Sequence, residues 1–287
     1  MNRKKAARIH RLRQVGPAQP PLIRSEEILD QLYDHHGGMF FLNAFSRDEI
    51  YRILDRCGVS EGFVRAGFAQ TEISIDTSDA FKHVLRVHAA GDDSTILAEL
   101  VARTGCFCWE ELGEGSGCPD LLVIDWVLLQ NPRGVYDASK PQLPGQKHPG
   151  LGIGRNTVDF FVELARGLNL EGIVAHPQYY HSAVIYSRTF RYVHPEAEGQ
   201  LAALRRDLGS LSLAEAAWAV HDGRVRVGRR KFNWVAEEQV MPLSDRLAAY
   251  FESPKYKDAV QESMKKHRYF LSTEPPPPGT KRRSLFE

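Results

Sequence analysis

Pro149-Gly-Leu-Gly-Ile-Gly154 decides how this chain is read, because of what stands on either side of it. Upstream, Asp120-Leu-Leu-Val-Ile-Asp-Trp-Val-Leu-Leu-Gln130 is an apolar run of strand length. Downstream, residues 155–168 repeat apolar side chains at helical spacing, and Gly172-Ile-Val-Ala-His176 reads as a second strand. Glycines that open a helix leave backbone N–H groups at its positive end, which suits a phosphate. The succession of strand, glycine loop, helix and strand points to a nucleotide or coenzyme site.

The rest of the chain narrows the class. Hydrophobic residues make up 43% of its 287 residues and charged residues 25%, the values of an ordinary globular protein. No apolar run approaches the roughly 20 residues that span a bilayer, and no signal-peptide core is visible, so a cytoplasmic protein without a membrane span is expected. Residues 1–25 hold seven basic side chains and no acid, so the overall charge of +1 leaves −6 for the remainder. This basic arm reads first as a solvated tail, with contact to nucleic acid or anionic lipid as the alternative, and it loosely resembles the start of an organelle transit peptide. Of the four cysteines, Cys106, Cys108 and Cys118 cluster, but the C-x-C spacing lacks the paired knuckles of a structural zinc site. Reduced thiols are expected there, with no metal and no disulfide.

Along the chain, Ser25-Glu-Glu-Ile opens one helix and the capping box Ser46-Arg-Asp-Glu49 a second, with Ile50, Ile53 and Leu54 on its apolar face. Period-2 alternation marks strands at 71–76 and 82–88, and Asp92 to Arg103 reads as a capped amphipathic helix. A long polar loop, Asn131 to His148, separates the 120–130 strand from the glycines, and loops of that length are usually functional or mobile. A short helix at 181–187 and a strand at 190–193 follow. Beyond Pro195 come helices at 196–208, 212–221, 244–251 and 256–267, a hairpin turning at Gly228 with a basic stripe from Arg224 to Lys231, and a Pro-rich tail.

A Rossmann unit does not fit, because its glycines follow the strand at once, whereas some 18 residues intervene here, and Arg155 occupies the third glycine position. A Walker loop lacks its Gly-Lys-Ser/Thr. Residues 120–193 instead resemble the second half of the GNAT superfamily of N-acetyltransferases: a strand, an Arg/Gln-x-x-Gly-x-Gly/Ala loop, a helix, a strand, a short helix ending near a Tyr, and a last strand. The loop is either Lys147-His-Pro-Gly-Leu-Gly152 or, shifted by two, Pro149-Gly-Leu-Gly-Ile-Gly154. The chain departs from the pattern at Tyr179, where members usually carry Asn, and at Phe190-Arg-Tyr192, which lacks their Gly-Phe.

The resemblance implies an α/β (α+β) fold, with a central mixed, mostly antiparallel sheet flanked by helices; residues beyond 195 lie outside it and read as a mostly helical C-terminal extension. The chain thus divides into the arm (1–25), a GNAT-like acyl-CoA-binding domain (26–195), an extension (196–271) and a tail (272–287). The resemblance also implies acetyl-CoA or another acyl-CoA as co-substrate, held by Leu128, Leu129, Gln130, Gly150, Leu151, Gly152, Ile153, Gly154 and Arg155. An amine, on a small molecule or a peptide, would attack the thioester directly, with Tyr186 as the acid for the thiolate and Asp125, His176 or His181 as the base. A non-catalytic protein of the same fold, its basic arm on nucleic acid or another anionic partner, is the alternative, and a homodimer fits either.

Overall fold

The computed structural model describes residues 40–112 and 117–272. The basic arm, the Ser25 helix and the Pro-rich tail beyond Ser272 lie outside the described residues.

Helix α1 (Arg47–Arg56) starts at the expected capping box: the Ser46 hydroxyl accepts from the Glu49 N–H, while the Glu49 carboxylate takes the Ser46 N–H. Its Ile50, Ile53 and Leu54 are buried. After α2 (Val59–Arg65), strands β1 (Thr71–Asp76) and β2 (His83–Ala89) pair antiparallel, as their alternation requires.

The stretch read as a helix from Asp92 is instead part of β3 (Asp92–Cys106), a long strand paired antiparallel with β2 and with β4 (Asp120–Leu129). Two features disguise it. Asp92 accepts bonds from Ser94 and Thr95, which imitates a helix cap, and the register with β2 slips so that Leu97 is an extra residue between Ile96 and Ala98. Such a β-bulge shifts the side-chain alternation, so the buried Leu97 and Leu100 stand three apart, as on a helix.

The main sheet has seven strands in the order β1-β2-β3-β4-β5-β9-β6. Among the described residues only β4 with β5 (Gly172–Ala175) is parallel, and α3 (Gly154–Gly167) is their crossover. After the short α4 (Tyr180–Tyr186) and the two-residue β6 (Arg191–Tyr192), the chain builds α5 (Pro195–Asp207), α6 (Leu213–His221) and the expected hairpin of β7 (Val225–Val227) and β8 (Arg230–Lys231). It then returns to the main sheet. Strand β9 (Gln239–Pro242) inserts between β5 and β6, antiparallel to both, although the sequence pattern offers no element there. Helices α7 (Asp245–Glu252) and α8 (Pro254–Lys266) follow, and β10 (Tyr269–Leu271) joins β7 in a small second sheet. The sheet therefore runs across the boundary drawn at residue 195.

Helices α1 to α3 cover one face of the main sheet, where Phe63, Phe160 and Leu164 meet Leu85, Leu100 and Ile124. Helices α7 and α8 cover the other, where Leu247, Phe251 and Tyr256 meet Leu121, Val174 and Val240. No helix among the described residues is long and apolar enough to cross a membrane.

The cysteine expectation is corrected. Cys108 and Cys118 form a disulfide. The β3–β4 ladder ends at Cys106 opposite Asp120, and two residues further on the same register places Cys108 opposite Cys118. The Cys106 thiol donates to the Cys118 carbonyl at 3.2 Å, and the three sulfurs lie within 4.8 Å of one another.

Candidate functional site

The parallel pair is short. Strand β5 bonds to Leu121–Ile124 of β4, while β4 itself runs on against β3 to Leu129. Past the last pair, Ile124 with Ala175, a cavity of about 440 Å³ separates the two chain segments. The remainder of β4, Asp125 to Leu129 with Gln130, forms one wall, and the segment following β5, His176 to Tyr179, forms the other. Tyr186 and His181 of α4 close one side and residues 144–148 of the long loop another.

A second β-bulge marks the mouth of this split. Ala102 pairs with Ile124 and Val101 with Trp126, so Asp125 is the extra residue. That explains the acid in an apolar strand: the bulge turns its carboxylate to Arg103 Nε at 3.0 Å and Lys82 Nζ at 3.8 Å. Asp125 is thus held between two cations at the bulge.

Of the two registers for the glycine loop, Pro149–Gly154 is the one that meets the helix, since α3 begins at Gly154; Lys147 and His148 line the cavity instead. Gly152 has φ +76°, a left-handed conformation that side chains rarely adopt. A Cβ at Gly152 or Gly154 would meet nothing within 4 Å, so the backbone there is open to close approach. The N-cap, Ile153, offers no side-chain acceptor, and the first turn contains no acid. The positive end of α3 is thus not offset by a side-chain cap or by an acid in its own first turn. Ile153 is itself 1% exposed, and a Cβ on Gly62 of α2 would lie 2.0 Å from its Cγ2. It anchors the loop to the core and contributes only backbone outward. Arg155 is exposed on the first turn, and Leu151 packs on the core below.

Leu128, Leu129 and Gln130 stand on the cavity wall, with the loop at their end: Asn131 N–H donates to the Pro149 carbonyl at 2.7 Å. Gln130 spends its N–H on Leu97 O at 2.9 Å and its side-chain amide on Ile96 O at 3.0 Å, both on β3. It secures the strand end. Strand alternation then turns the backbone groups of Leu129 and Val127, rather than those of Gln130, toward the open edge.

Burial pushes the Tyr186 hydroxyl up to about 12, so it remains protonated at neutral pH. His181 is 6% exposed, and its Nδ1 has no partner among the described residues. Burial first, and the neighbouring His221 second, push it down to about 4, which keeps it neutral. Its ring stacks on Tyr179 with centroids 5.3 Å apart. Tyr179 also packs closely on Gly145, and the Trp218 indole of α6 donates to Gln142 O at 2.8 Å. The long loop is thereby tied to α4 and α6 beside the cavity.

His176 is the first residue of β5's continuation, across the split from the Asp125 bulge. Its Nε2 lies 3.2 Å from Glu238 Oε1. Glu238 was missed by sequence reasoning, because nothing local signals β9: its four residues end in Pro and are too few to show alternation. Comparison of the chain with protein-family models and with curated proteins finds no match.

Proposed function

We propose that this protein is a GNAT-like, acyl-CoA-dependent N-acyltransferase. The observation that carries the reading is the split between β4 and β5 beside an uncapped helix N-terminus. An extended thioester arm can add to the open edge of β4 while the amides of Gly152, Ile153, Gly154 and Arg155 receive the pyrophosphate. The sheet, mixed with a single parallel pair in its main ladder, and the succession of elements from β4 to β6 are in keeping with the resemblance. From Leu129 to Asp125 the arm would run along four residues of strand, about 13 Å, and bring its thioester to the bulge.

There the chemistry needs no covalent enzyme intermediate. The amine attacks the thioester carbon, backbone N–H groups at the split stabilise the oxyanion, and Tyr186 donates a hydrogen bond to the departing thiolate. Isothermal titration with coenzyme A and with acetyl-CoA tests the reading; absence of heat at millimolar ligand defeats it. Tyr186→Phe should leave acetyl-CoA binding intact and lower kcat by about 100-fold. An unchanged kcat would remove Tyr186 from the chemistry.

A further inference from the structure

The proposed reaction leaves one requirement open: an amine that is protonated at neutral pH must lose a proton before it can attack. We propose that His176 is the base that takes this proton, with Glu238 as the positioning residue that aims its ring. The inference rests on the acyltransferase reading and adds to it the deprotonating residue and the class of acceptor, a basic amine that arrives as a cation.

Three observations place the pair. First, β5 bonds to β9 with Ala175 opposite Gln239, so the next pair in the same register is His176 opposite Glu238. The insertion of β9 into the sheet thus sets the carboxylate beside the imidazole by backbone geometry. Second, the two members face different surroundings. His176 is on the cavity wall with its side chain 33% exposed, whereas Glu238 is not part of that wall and is 18% exposed. The carboxylate lies 3.2 Å from Nε2, and a bond there fixes ring orientation and tautomer, so the base assigned to the substrate is Nδ1. Third, His176 directly follows the last β4–β5 pair, so it stands across the split from the bulge where the thioester would arrive.

Three of the other candidates are engaged elsewhere, and the remaining imidazole on the wall, His148, stands on the long loop rather than at the split. Asp125 is held by Arg103 and Lys82. His181 is enclosed and neutral, a donor or a stacking partner rather than a proton carrier. Glu99, also on the wall, is paired with Arg86 Nε at 2.6 Å.

The step balances as follows. The ammonium gives one proton to His176 Nδ1, which passes it to solvent. The neutral amine forms the new C–N bond, and the tetrahedral intermediate expels the thiolate as the C–S bond breaks. The second nitrogen proton goes to that thiolate along the Tyr186 hydroxyl. The products are an amide, free coenzyme A and one proton in solution.

The experiment uses acetyl-CoA with two amines of similar shape that the wild-type protein acylates, one alkyl and protonated at the assay pH, one weakly basic and already neutral. His176→Gln should lower kcat for the alkyl amine by about 100-fold or more, with KM for acetyl-CoA unchanged. For the weakly basic amine the loss should stay under about 10-fold, because no base is needed. Glu238→Gln should show the same selectivity with a smaller loss, and added imidazole should restore part of the alkyl-amine rate to His176→Ala. Equal losses for both amines, or none, overturn the assignment. Coenzyme A titration of each protein separates the two levels. Binding with unselective His176 variants removes the base alone, whereas a wild-type protein that binds no coenzyme removes the acyltransferase reading and the base with it.

Discussion

At the scale of single residues, the glycine loop and His181 make the sharpest demands. Gly152 occupies a left-handed conformation where a Cβ would meet none of the described residues beyond its chain neighbours within 4 Å. Gly152→Val should therefore cost the fold only about 1–2 kcal/mol of backbone strain while abolishing coenzyme binding, because the side chain would fill the path of the pyrophosphate. Thermal melts and titration together check this, and retained binding would show that the ligand does not approach the loop. His181 gives a pH prediction. Its unfolded value is near 6.5 and its native value is pushed down to about 4, so between these the unfolded chain binds more protons. Stability should be level above about pH 6.5 in this respect and fall as pH drops toward 4, by on the order of 3 kcal/mol. His181→Phe should flatten that part of the melting profile; an unaltered slope would assign it to other groups. Asp125, which stands out in an apolar strand, sits at a bulge between Arg103 and Lys82.

Elements are joined here by a few specific devices. Gly62 of α2 admits Ile153, and through it α2 positions the start of α3. Gly62→Leu should displace the loop and weaken coenzyme binding, although residue 62 is not among those assigned to the ligand. The Cys108–Cys118 disulfide, at a sequence separation of 10, closes the β3–β4 connection. By loop-closure entropy it is worth about 2–3 kcal/mol, so reductant should lower the melting temperature and Cys108→Ser should make the protein insensitive to it. A melt unmoved by reductant would show that the thiols are not bonded in solution. Helix α1 was legible because its capping box is a local signal; β3 was not, because the bulge at Leu97 shifts its alternation and Asp92 imitates a cap.

For the molecule as a whole, the decisive fact is that the chain leaves the sheet after β6 and re-enters it as β9. A protein truncated at residue 195 would lack the strand between β5 and β6 and would expose Val174 and Leu121, both buried under α7. It should fail to fold, seen as loss of a cooperative melt; a stable truncated protein would contradict the sheet order. By itself the sequence determined what local signals carry: capping boxes, the apolar β4 run, the glycines that must open α3, the hairpin turn at Gly228, and Tyr186 near the end of a short helix. Only the tertiary structure decided which edges pair. Four residues of β9 hold too little pattern to announce a strand, and their place is set by the gap that β5 and β6 leave between them. That pairing brings Glu238 to His176 across 62 residues of chain, a contact that sequence spacing cannot encode.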